Sequence, residues 1–119
     1  MAQVLAYHFQ GPRLQTLMLL CLRQGTVLIP VDDDNATLDE VLQKKAKKPV
    51  EKQDGFSEEM LVLCHFSEAQ LDMFLHGMKA SGLRVPLKAV YTVHNGGWTG
   101  CQLYRELRSE DAQMRERSV

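Results

Sequence analysis

Short apolar runs alternate along the chain with longer stretches in which apolar positions recur every three or four residues, the pattern of strands alternating with amphipathic helices. Val4-Leu5-Ala6-Tyr7-His8-Phe9 and Leu61-Val62-Leu63-Cys64-His65-Phe66 are two such runs, both ending in His-Phe and lying 57 positions apart. The same offset aligns Leu14 with Leu71, Leu17 with Phe74, Met18 with Leu75, Cys21 with Met78 and Gly25 with Gly82. Spaced i, i+3, i+4, i+7 and ended by glycine, these positions predict one amphipathic helix in each half. A second strand follows over 26–31 and over 87–93, the latter after a longer loop, and closing helices start near Thr37 and Thr99. The expectation is a single domain of two similar halves, 4–48 and 59–116, joined by a polar linker over 49–58: an internal duplication.

The helix starts carry their own signals. Ser67 with Gln70, Thr37 with Glu40, and Thr99 with Gln102 fit the capping box, in which two side chains reciprocally satisfy orphan N–H groups. The first helix opens with Gly11-Pro12, and proline there loses no useful donor. Strand, helix and strand in succession make a right-handed crossover between parallel strands. The predicted fold is therefore α/β, with tandem βαβα units forming one four-stranded, mostly parallel sheet flanked by helices. The alternative, a ferredoxin-like α+β arrangement, needs a hairpin between its middle strands, and Lys44 to Ser57 contains no such tight turn.

Composition narrows the function classes. With 119 residues, 45% hydrophobic and 24% charged, the chain suits one globular core. Its net charge of −1 argues against a protein that clamps nucleic acid or an anionic membrane. Three cysteines without CxxC spacing fit neither a disulfide framework nor a zinc knuckle. Met1 to Val4 lacks a basic n-region, so no signal peptide is expected, and the apolar run Leu14–Leu22 is too short to span a bilayer. A cytoplasmic location is the resulting expectation. Lys44, Lys45, Lys47 and Lys48 offer a basic patch for phosphate or RNA, but they also suit the last turn of a helix whose first turn carries Asp39 and Glu40 and which Pro49 stops. That second reading is preferred, because no aromatic residues interleave with the lysines.

Candidate chemistry gathers at the strand ends. In open α/β sheets, ligands bind beyond the carboxyl ends of the strands where strand order reverses. His8, His65 and His94, with Asp32 to Asp34 and Asn95, would stand there, a set able to serve a metal- or phosphate-dependent enzyme. None shows local ligand spacing, so no metal site is assigned and no cofactor is expected. Asp32 to Asp34 suit a turn and cap. Gly96 and Gly97, between a strand and a helix, could expose N–H groups to an anion. The preferred alternative is a tight turn with positive φ at Gly96 or Gly97 and Trp98 plugging the end of the core. Cys64 and His65 are strand neighbours on opposite faces and cannot pair, and no nucleophile elbow, P-loop or HExxH is present. The first helix carries Leu19, Leu20 and Leu22 beside its stripe, which calls for cover by another helix or by a second copy.

Leu61 to Leu63, Phe66-Ser67-Glu68 with Leu71, and Val85 to Thr92 are followed by Asn95, Trp98 and a helix with Leu103 and Leu107. With its Lys-Ala-Val-x-Thr…Asn-x-x-Trp motif, the stretch Glu59 to Leu107 resembles a bacterial family known only as a domain of unknown function. The resemblance implies the unit without implying an activity. If the motif marks a ligand site, Lys88, Thr92, Asn95 and Trp98 are its residues; otherwise Asn95 caps the turn and Trp98 packs. The leading expectation is a non-enzymatic binding or association module, a homodimer through Leu19, Leu20 and Leu22, with an unknown small-molecule ligand. The alternative is the strand-end enzyme.

Overall fold

The protein is described by a computed structural model over residues 2–43 and 56–117, with side chains described up to residue 109. The elements run β1 (Gln3–Tyr7), α1 (Gly11–Arg23), β2 (Val27–Val31), α2 (Leu38–Leu42), β3 (Met60–Cys64), α3 (Glu68–Ala80), β4 (Leu87–Val90) and α4 (Gly100–Arg117). This is an α/β chain with one four-stranded mixed sheet in the order β2-β1-β3-β4. β1 pairs in parallel with β2, β3 in parallel with β4, and the two halves join through an antiparallel β1–β3 ladder. Because β2 and β3 are not neighbours, no hairpin joins the middle strands and the ferredoxin-like alternative fails. The second strand of the later half ends at Val90, short of the expected Val93, because the chain turns at Thr92. α2 is five residues long, and the lysines at 44–48 and most of the linker at 49–58 lie outside the described residues.

Two compact units make up the chain: Met1–Asp32 with Glu58–Tyr91, and Asp33–Ser57 with Thr92–Val119. In the first, the strands carry apolar residues at successive positions because both β1 and β3 are interior strands. Val4, Ala6, Leu61 and Leu63 form one cluster with Leu17, Leu20 and Cys21 of α1 and Phe74 and Met78 of α3. At the middle of the antiparallel ladder, Leu5 lies opposite Val62. α1 and α3 meet where Leu20 overlies Gly77; a Cβ at 77 would stand 2.7 Å from Leu20 Cδ1 and 2.8 Å from Gln24 Nε2. That Gln24 amide donates to the carbonyl of Met73 at 3.1 Å, tying the helices together. Both central pairs, Leu5 with Val62 and Leu20 with Gly77, are 57 positions apart. Arg13 at the start of α1 is held by Glu59 (Nε to Oε2, 2.8 Å) and donates from Nη2 to the carbonyl of Arg84 at 3.0 Å. The Glu59 hydrogen bond raises the Arg13 pKa, fixing the guanidinium as a cation.

The second unit is built around an antiparallel bridge between Thr37 and Thr99, the N-cap residues of α2 and α4. Leu38 and Asp39 donate to the carbonyls of Trp98 and Gly96 at 3.0 and 2.9 Å, and Gly100 and Cys101 donate to those of Ala36 and Asp34 at 3.3 and 3.0 Å. Thr37 Oγ1 accepts from the Glu40 N–H, and Thr99 Oγ1 from the Gln102 N–H, with both reciprocal bonds formed. All three expected capping boxes are present, the third being Ser67 with Gln70. Phe56 stacks on Tyr104 with ring centroids 4.4 Å apart.

Candidate functional site

His8 and His65 immediately follow β1 and β3, and both adopt the left-handed conformation, with φ of 64° and 62°. This region is uncommon for residues other than glycine, though histidine visits it more readily than most. The antiparallel ladder sets Gln3 opposite Cys64 and Tyr7 opposite Met60, so the two histidines leave the sheet at opposite ends. Five strand residues, roughly 17 Å, separate them, and the shared crevice expected for His8, His65 and His94 does not form around that pair. Parallel pairing would have been needed, and the hydrophobic period does not distinguish the two directions. His65 Nδ1 lies 3.1 Å from Gln3 Oε1, and its ring is tilted against Tyr91 at 5.6 Å. Among the described residues no group of three His, Cys, Asp or Glu could hold a metal ion. His8 instead lines a cavity of about 380 Å3 with Gln10 and Asp32 at the carboxyl ends of β1 and β2. Asp33 serves a turn, its Oδ1 accepting from the Asn35 N–H at 3.0 Å, whereas Asp34 Oδ2 accepts across the chain from the Phe56 N–H at 3.4 Å.

The segment from Thr92 to Trp98 closes on itself. Thr92 donates its N–H to Asn95 Oδ1 at 2.8 Å, and Thr92 Oγ1 accepts from the N–H groups of His94 and Asn95 at 3.2 and 3.3 Å. Neither Gly96 nor Gly97 has positive φ, contrary to expectation. Gly96 sits in close approach to the Asp39 carboxylate: a Cβ there would lie 2.6 Å from Oδ1, so that side chain would have to shift. The first three N–H groups of α4, from Gly100, Cys101 and Gln102, already donate to Ala36, Asp34 and Thr99. An anion at this helix start would find those donors taken up. Trp98 is 37% exposed rather than a plug. Lys88, the remaining motif residue, donates from Nζ to the carbonyl of Val85.

The thiols are core groups. Burial pushes the Cys21 thiol up to about 11 and the Cys64 thiol up to about 12, so both are protonated at neutral pH and poorly nucleophilic.

Two grooves lie on the described surface, one beside each crossover helix. The first, about 460 Å3, runs between α1 and β2 past Met18, Leu22, Leu28 and Pro30. Met18 is 52% exposed, Leu19 55% and Leu22 77%, whereas Leu20 is 6% exposed. Leu20 is thus removed from the expected interface; the close approach at Gly77 takes it into the core. The second groove, about 490 Å3, runs between α3 and β4 and carries Lys79, Arg84 and Lys88. Lys79 and Arg84 escaped the sequence reading. The signal available was the mismatch between halves, since Lys79 stands 57 positions after Leu22.

Residues 59–114 match the family model of a domain of unknown function, DUF3783. The match spans the later βαβα stretch, just under half of the chain. No curated protein and no solved structure matches the chain. Among the described residues, no helix is long and apolar enough to cross a membrane.

Proposed function

We propose that the protein is an association module that pairs with a second copy of itself through the outer face of α1 and the adjoining groove along β2. The observation that carries this reading is the exposure of Met18, Leu19 and Leu22 on one helix, beside Leu28 and Pro30 of β2 in the adjoining groove. Burying such side chains is worth roughly 1.5–3 kcal/mol each. A second copy fits for two reasons. A single apolar helix face can meet itself across a two-fold axis, and a net charge of −1 brings almost no long-range repulsion between copies. Light scattering coupled to size exclusion at micromolar concentration should give the mass of a dimer. The double variant L19E/L22E should give a monomer with unchanged circular dichroism and Tm. A monomeric wild-type protein at 100 µM, a concentration set well above about 1 µM, the Kd of an −8.2 kcal/mol interface, would overturn it.

We also infer that the two βαβα stretches descend from a duplication and fold as one domain. The support is the common offset of 57 at Leu5–Val62 and Leu20–Gly77, together with a family model that covers a single stretch. Calorimetry should show one transition whose calorimetric and van't Hoff enthalpies agree; two resolved transitions would contradict the single domain.

A further inference from the structure

We propose that the groove between α3 and β4 is a binding site for an anionic amphiphile, a carboxylate carrying a medium-length aliphatic chain. The described residues that line it are of two kinds: aliphatic or thioether (Leu75, Met78, Leu83, Val85 and Pro86) and cationic (Lys79, Arg84 and Lys88). Among the described lining residues there is no aromatic ring to stack a base, and no amide or hydroxyl side chain to read a polar ring or a peptide backbone. An occupant matching that lining has an apolar body and a negative head. Its volume, about 490 Å3, lies within the range of small-molecule sites.

Among the described residues the charge is uncompensated. None of Lys79, Arg84 and Lys88 has a carboxylate partner among the described residues, and Glu59, beside the same loop, is held by Arg13. The cations are not demanded by the architecture either. In the matching groove of the other half, Leu22 stands where Lys79 does, and Leu28, opposite Val4, stands where Lys88 does, opposite Leu61. The groove is also fixed in shape: Arg13 Nη2 holds the Arg84 carbonyl, and the Lys88 ammonium holds that of Val85 while keeping donors for a ligand. Met78, Leu83 and Val85 are buried at its base, so the tail would lie on a packed floor.

The test is a titration of methyl-labelled protein with decanoate, followed by NMR. Decanoate should shift the methyl signals of Leu75, Met78 and Leu83. Decanol, with the same chain and no charge, should bind at least about tenfold more weakly, and acetate should leave the methyls unmoved. Replacing each cation singly (K79Q, R84Q, K88Q) should weaken decanoate about threefold, and all three together about thirtyfold, as expected for partly exposed ion pairs. The variants K79R and K88R, which keep the charge, should bind as the wild type does, separating charge from any loss of fold. Equal binding of decanol, shifts confined to Leu19 and Leu22, an unaltered triple variant, or no response to decanoate would each overturn the proposal. The readout concerns residues apart from the α1 face, so a monomeric protein would leave it standing.

Discussion

The grooves beside α1 and beside α3 are the same construction with opposite chemistry. Each lies between a crossover helix and an outer strand, with Met18 and Leu75, Cys21 and Met78, and Leu22 and Lys79 at matched positions. One presents apolar side chains to solvent, the other a cationic rim around an apolar floor. The difference teaches that the βαβ scaffold sets the groove while a few outward positions decide what it meets. Side chains that face inward are under another constraint, because they must fill one shared core.

That division predicts a gradient of effects. The largest should come from matched inward positions: Phe74→Ala is expected to cost about 3–5 kcal/mol and Leu17→Ala about 2–5 kcal/mol, read by urea unfolding, since both are fully buried. Similar costs would show that the halves contribute alike to the core; a negligible cost at either would break the equivalence. Next comes the pair at the helix crossing. Gly77→Leu should cost about 1–3 kcal/mol by overpacking against Leu20, and adding Leu20→Ala should recover much of it. Additive losses in the double variant would mean that the two residues do not share one space. The matched caps follow, with Thr37→Ala and Thr99→Ala expected to lose about 1 kcal/mol each. Outward positions should leave stability almost untouched. Leu22→Lys, which writes the α3 groove's residue into the α1 groove, should change Tm little while raising the Kd of self-association about tenfold or more.

The buried thiols sharpen the comparison at high pH. Cys21 and Cys64 are less acidic folded than unfolded, so the unfolded chain loses protons first as pH rises above the ordinary thiol value. Stability should be unaffected by them below about pH 8.5 and fall as pH climbs through about 11 and 12. Denaturant melts of Cys64→Ala and wild type across that range should converge, the variant losing less.

Much of the architecture is written in local chemistry. The order of elements follows from apolar spacing, and the three capping boxes mark α2, α3 and α4 because each is complete within four residues. What local pattern cannot carry is direction. Leu5 would be equally buried beside a parallel or an antiparallel β3, so the pattern did not place His8 and His65 at opposite ends of the sheet. Asn95 read correctly as capping a turn, since its bonds to Thr92 span three residues, whereas Thr92 itself read as strand. Gly96 or Gly97 read as a φ > 0 position because Asp39, whose carboxylate crowds Gly96, is remote in sequence. The cationic groove stayed hidden for the same reason: Lys79, Arg84 and Lys88 meet only through the crossover.

β2, at one edge of the sheet, contains Pro30, which lacks an N–H, and β4, at the other, contains Lys88. A proline denies an incoming strand one rung of its ladder, and a lysine sets charge along the line of approach. Copies of this protein that meet edge to edge would find the ladder obstructed on both sides. Growth into open-ended fibres by strand addition at these edges is thereby discouraged.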